Sequence, residues 1–219
     1  MARLTPQIKF DDGTLPFAQR KIIGDATEIG LTKLAAKFGD YDAIKSATPT
    51  VYTVPFNSTN KYAIAIINKP HETGSLRLLL KGAPERVLGR CTHILGPAGE
   101  RVPLDDAMRA AYNVQYEYMA GQGHRVIAAA QSLLDGQSYP TDFAFTTEGD
   151  GNVPATELTF VGLYSLADPP KHGVREAVGQ LRRAGIQIVM VTGDHPLTAA
   201  AIARRVNIIV CVCGGAKLS

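Results

Sequence analysis

The chain has 219 residues, 45% of them apolar and 20% charged, with a net charge of +3. That suffices for one large domain or two small ones with a buried core. It excludes a nucleic-acid binder built on a long basic run or tail, a membrane span of about 18 consecutive apolar residues, and, with three cysteines (Cys91, Cys211, Cys213), a disulfide framework.

The first residues lack the apolar stretch of a signal peptide, so the chain reads as cytosolic and soluble. Residues 1–22 carry little pattern, and Pro6, Asp11-Asp12-Gly13 and Pro16 predict an irregular lead-in. Asp25 is placed to cap a helix running through Leu34, Ala35 and Phe38, with Glu28 three residues on as in a capping box and Gly39 to stop it. Three strands are predicted over 51–56, 61–67 and 76–80. The second alternates polar and apolar, with Tyr62, Ile64 and Ile66 on one face, as in a half-buried strand. Asn57-Ser58-Thr59-Asn60 makes a turn that joins the first two as a hairpin.

Pro84 opens a short helix over 85–91, and Gly96-Pro97-Ala98-Gly99 is a turn. Asp105 caps a helix reaching about Met119, Gly121-Gln122-Gly123 stops it, and a buried strand covers 126–134. Residues 135–156 are rich in Gly, Pro, Ser, Thr and Asp and form a boundary. Beyond it the order changes to strand 158–166, helix 174–183, strand 186–191, helix 196–206 and one more strand over 208–212. Alternation of this length predicts parallel pairing. The expected fold class is α/β (α+β): an antiparallel-sheet module over 1–155 with flanking helices, then an incomplete doubly wound α/β module over 156–219.

Chemistry concentrates at strand ends. Val191-Thr192-Gly193-Asp194 closes one apolar strand immediately before a helix, where ligands of parallel sheets sit and a helix N-terminus favours phosphate. The same residues also fit an ordinary turn with Asp194 as a cap. Asp168, before Pro169-Pro170, is aimed at the same sheet edge or simply precedes a turn. Lys81 beside Gly82 fits a nucleotide contact or a solvated turn lysine, and Phe56 fits a purine stack or a core position. There is no G-x-x-x-x-G-K-[ST], no complete dinucleotide fingerprint and no G-x-S-x-G. The five histidines have no metal-ligand spacing, so no metal site is expected.

Six segments stand in one order: Gly24-Asp25-Ala26-Thr27-Glu28, Pro55-Phe56-Asn57-Ser58-Thr59-Asn60-Lys61-Tyr62, Lys81-Gly82-Ala83-Pro84-Glu85-Arg86, Arg125-Val126, Asp168-Pro169-Pro170 and Thr192-Gly193-Asp194-His195-Pro196. Together they resemble the cytoplasmic region of a P-type cation-transporting ATPase, from about Gly24 to Ile209. The second segment is most similar to the sodium/potassium and proton/potassium branch. The resemblance implies a nucleotide-binding domain inserted in a phosphorylation domain of haloacid-dehalogenase type, with ATP as ligand. It further implies that Glu28 contacts the adenine amino group and Phe56 stacks on the ring. Lys61, Lys81 and Gly82 would line the pocket, and Arg125 would hold the phosphates. Thr192, Gly193 and Asp194 would meet the γ-phosphate, with Asp168 beside them. The parent would be an integral membrane pump with this region cytoplasmic, and the partners would be its membrane and actuator domains rather than nucleic acid.

The sequence departs from that pattern where the chemistry is carried out. It holds no Asp-Lys-Thr-Gly-Thr segment, which supplies the family's nucleophile, and no Thr-Gly-Asp-Gly-x-Asn-Asp segment, which supplies its magnesium carboxylate. ATP binding without turnover is therefore expected. The alternative expectation is a truncated non-enzymatic relative that associates with an intact pump, or an inert remnant. Ala63 replaces a common glutamine and Lys171 a common arginine. After Ile209 the resemblance ends.

Overall fold

The computed structural model describes residues 8–68, 76–148, 151–167, 169–194 and 196–210. Asp168, His195, Cys211 and Cys213 lie outside the described residues. The lead-in is less irregular than expected. Lys9–Phe10 (β1) pairs antiparallel with Ile22–Ile23 (β2), and a 3-10 turn, Phe17–Gln19, lies between them. The cause is aromatic: Phe10, Phe17 and Tyr41 meet with ring centroids 5.2 to 5.9 Å apart. They form a small cluster with buried Ile8. Arg20 adds an ion pair to Asp42 at 2.6 Å.

Ala26–Ala35 (α1) starts as the sequence predicts, with the Asp25 carboxylate accepting from the Thr27 N–H at 2.8 Å. Asp25→Ala should cost about 1 kcal/mol of stability, read from a urea unfolding curve. Tyr41–Ala47 (α2) was not legible in the pattern. It is capped by Asp40, which accepts from the N–H groups of Asp42 and Ala43.

Seven strands form one sheet: Thr50–Val54 (β3), Tyr62–Asn68 (β4), Leu76–Gly82 (β5), Cys91–Leu95 (β6), Arg101–Pro103 (β7), His124–Leu133 (β8) and Leu158–Ala167 (β9). Their order is β3-β4-β5-β8-β9-β6-β7. The expected hairpin is β3–β4, and β5 continues it with Tyr62 opposite Gly82 and Ala63 opposite Lys81. β4 is not half-buried: Ala63, Ile64, Ala65, Ile66 and Ile67 are all covered. Its second face carries alanines and Ile67 rather than polar residues, so both faces are apolar enough to pack. Leu76, Leu78, Leu80, Val87 and Leu158 are fully enclosed and anchor the core. Each such side chain stabilises the fold by roughly 1.5–3 kcal/mol over an exposed one.

Two further corrections concern this sheet. The helix expected over 85–91 is Pro84–Leu88 (α3), and Cys91 already begins β6, which turns into β7. The sheet is also not wholly antiparallel, because β6 pairs parallel with β9, a strand the sequence assigned to the second module.

The chain divides into two compact units, Met1–Asp105 with Ile127–Tyr164, and Asp106–Val126 with Ser165–Ser219. The second contains Asp106–Gly121 (α4), Val174–Arg183 (α5) and Pro196–Arg205 (α6), and α4 packs on α6. The strand expected over 186–191 does not form; Val189 is 73% and Val191 93% exposed. An apolar run becomes a strand only when a neighbour offers N–H and C=O groups, and no described residue pairs with this one. Residues 208–210 are likewise not strand. The whole is a mixed α/β fold.

Candidate functional site

In the first unit, the end of β5 and the start of α1 meet. The Lys81 ammonium donates to Glu28 Oε1. Lys81 is 5% exposed, so the turn-lysine reading fails. Burial pushes its pKa below the usual 10.5, while the hydrogen bond and charge of Glu28, then the charge of Asp25, pull it back up. Glu28 therefore reaches across the fold instead of completing the capping box. Its second oxygen, Oε2, is buried without a hydrogen-bond partner.

Gly82 follows Lys81 and lies against β4. A Cβ there would come 2.4 Å from the Lys61 carbonyl oxygen and 2.6 Å from Tyr62 Cβ. The closeness that demands glycine is thus a neighbouring backbone. Lys61 adopts φ 59°, in the left-handed region. The Asn57 carbonyl accepts from the Lys61 N–H at 2.8 Å, and the Asn57 side chain accepts from the Asn60 N–H at 2.7 Å. The sequence marked this tetrapeptide as a turn; Asn57 is the residue that fixes it. The side chains of Lys61 and Phe56 are exposed, Phe56 at 58%, so the core reading of Phe56 fails too. Arg90, which the sequence did not single out, lies 4.4 Å over the Tyr62 ring.

In the second unit, Arg125 and Asp194 approach at 3.9 Å. Thr192 Oγ1 donates to the Asp194 carboxylate at 3.0 Å and accepts from the Asp194 N–H at 3.1 Å. Gly193 is open: a Cβ at this position would meet nothing within 4 Å. Nearby in the sequence, His124 Nδ1 is 2.6 Å from Ser165 Oγ. The structure thus gathers Glu28, Lys81, Gly82 and Lys61 in one place and Arg125, Thr192 and Asp194 in another.

Residues 6–173 match the family model for the P-type ATPase cytoplasmic domain N. The chain belongs to the P-type ATPase family. It is 42% identical to the sodium/potassium-transporting ATPase subunit alpha of Drosophila melanogaster over 214 residues, 95% of this chain and 20% of that protein. It is 41% identical to subunit alpha-2 of Gallus gallus over 89% of this chain and 19% of that one. The corresponding figures for subunit alpha-2 of Bos taurus are 43%, 88% and 19%. The chain thus spans about a fifth of the length of the curated relatives it matches. Among the described residues, no helix is long and apolar enough to cross a membrane.

Proposed function

We propose that this chain binds ATP. Glu28 and Phe56 meet the adenine ring, Lys61, Lys81 and Gly82 line the pocket, and Arg125, Asp168, Thr192, Gly193 and Asp194 serve the phosphates. The observation that carries the reading is Glu28 Oε2, a buried acceptor without a partner beside a buried cation. A carboxylate oxygen in that condition is costly unless a donor arrives, and an exocyclic amine is such a donor. Phe56, 58% exposed, has a ring face available for stacking on a base.

The proposal extends to organisation. Residues 1–155 act as the nucleotide-binding domain and 156–219 as part of a phosphorylation domain. The remainder of a pump, its membrane and actuator parts, is the partner, and an aspartate outside these residues takes the γ-phosphate. Among the described residues no three His, Cys, Asp or Glu side chains are grouped to hold a metal.

Titration calorimetry of ATP into the chain tests the reading. Phe56→Ala and Lys61→Gln change exposed side chains and should leave the fold intact. Loss of one stacking partner is worth about 1–3 kcal/mol, so Phe56→Ala should weaken binding by about 5-fold to 150-fold. Equal affinity in the parent chain and both variants would sink the assigned pocket.

A further inference from the structure

Four arginines gather at one end of the second unit. Arg182 and Arg183 close α5, and Arg204 and Arg205 close α6. The two helix ends are tied together, because Arg182 donates to the Asn207 carbonyl at 2.7 Å. All four side chains are exposed, and none makes an ion pair among the described residues.

Cations in a last turn offset a helix dipole. That accounts for one per helix and leaves the doubling and the convergence unexplained. The patch is also separate from the phosphate-serving segment. Thr192, Gly193 and Asp194 precede the N-terminus of α6, and ten helical residues put its far end about 15 Å away.

Apolar side chains lie beside the arginines in the chain. Leu181 is 42%, Ile209 42% and Val210 51% exposed. Residues 169–194 and 196–210 contain no Phe, Tyr or Trp. A single-stranded nucleic acid would want aromatic platforms for its bases, and these two segments offer none. A basic cluster with exposed aliphatic side chains beside it in the chain instead matches a bilayer of anionic lipid, whose headgroups take the guanidinium charges while the aliphatics enter the interface. Charge complementarity therefore selects the occupant. We propose that the joined ends of α5 and α6 form a docking surface for an anionic membrane leaflet.

Each basic residue near such a surface strengthens partitioning about fivefold, and the effect falls off within a Debye length of roughly 10 Å in 0.1 M salt. The test is co-sedimentation of the full chain with extruded vesicles of phosphatidylcholine alone or with phosphatidylserine added, in low and high salt. Binding should require phosphatidylserine and should fall in high salt. Arg183→Gln with Arg204→Gln and Arg205→Gln should reduce it by about a hundredfold. Lys171→Gln with Arg175→Gln, which removes charge from the other end of α5, should reduce it far less. Arg182 is kept in both variants so that its bond to Asn207 survives, and circular dichroism verifies folding. Equal binding to neutral vesicles, undiminished binding of the triple variant, or an oligonucleotide bound where vesicles are not, overturns the proposal.

Discussion

Lys81→Met should cost about 3–5 kcal/mol of folding stability, and adding Glu28→Leu should restore most of it. The single change leaves the Glu28 carboxylate without its cation in a place that water does not reach well, at 15% side-chain exposure. An unpaired buried charge is the expensive state, whereas two apolar side chains of similar volume are close to neutral against the pair. Urea unfolding of the three variants measures both differences. A double variant as unstable as the single one would show that the pair itself carries the stability.

The same pair predicts a pH dependence of unusual sign. Burial lowers the Lys81 pKa below 10.5 in the folded chain. Between that lowered value and 10.5 the unfolded chain binds more protons than the folded one. The stability contributed by this group therefore rises with pH across the window, and below it the cost of holding the cation is fully present. Lys81→Met should flatten that slope in a series of unfolding curves; an unchanged slope would remove Lys81 as its source.

Much of this fold was legible because its signals are local. Val174–Arg183 is the helix that the residue pattern bounded, and β8 and β9 fall within two residues of expectation. What escaped is non-local. The run 186–191 has the composition of a strand, yet pairing depends on a neighbour the run itself cannot encode. β6 is short and follows α3 directly, so Cys91 read as the tail of a helix. Glu28 shows the same limit at the site. Three residues after Asp25 it looks like half of a capping box, but its partner lies 53 residues away. The resemblance named Glu28 and Lys81 separately as pocket residues. That they hold each other, and that one carboxylate oxygen is left without a partner, required the packed chain.

Gly82→Ala should lose about 2–3 kcal/mol and weaken nucleotide binding with it. In most strands the change would stabilise, because alanine restricts the unfolded chain and gives the sheet something to pack. Here the added Cβ would sit 2.4 Å from the Lys61 carbonyl oxygen, 2.6 Å from Tyr62 Cβ and 2.7 Å from Tyr62 Cα. Two of these are backbone atoms, so no side-chain rotation relieves the clash. β4 must move away from β5, as in other overpacked sites. That movement strains the bond from the Ala83 N–H to the Lys61 carbonyl, 2.9 Å long, which fixes where Lys61 stands. It also disturbs Lys81, the residue before. Gly162, on β9, is the control, since a Cβ there would meet nothing within 4 Å. Gly162→Ala should be neutral or slightly stabilising. Equal effects of the two substitutions on stability would mean that the approach of Lys61 and Tyr62 to Gly82 does not set the geometry of the site.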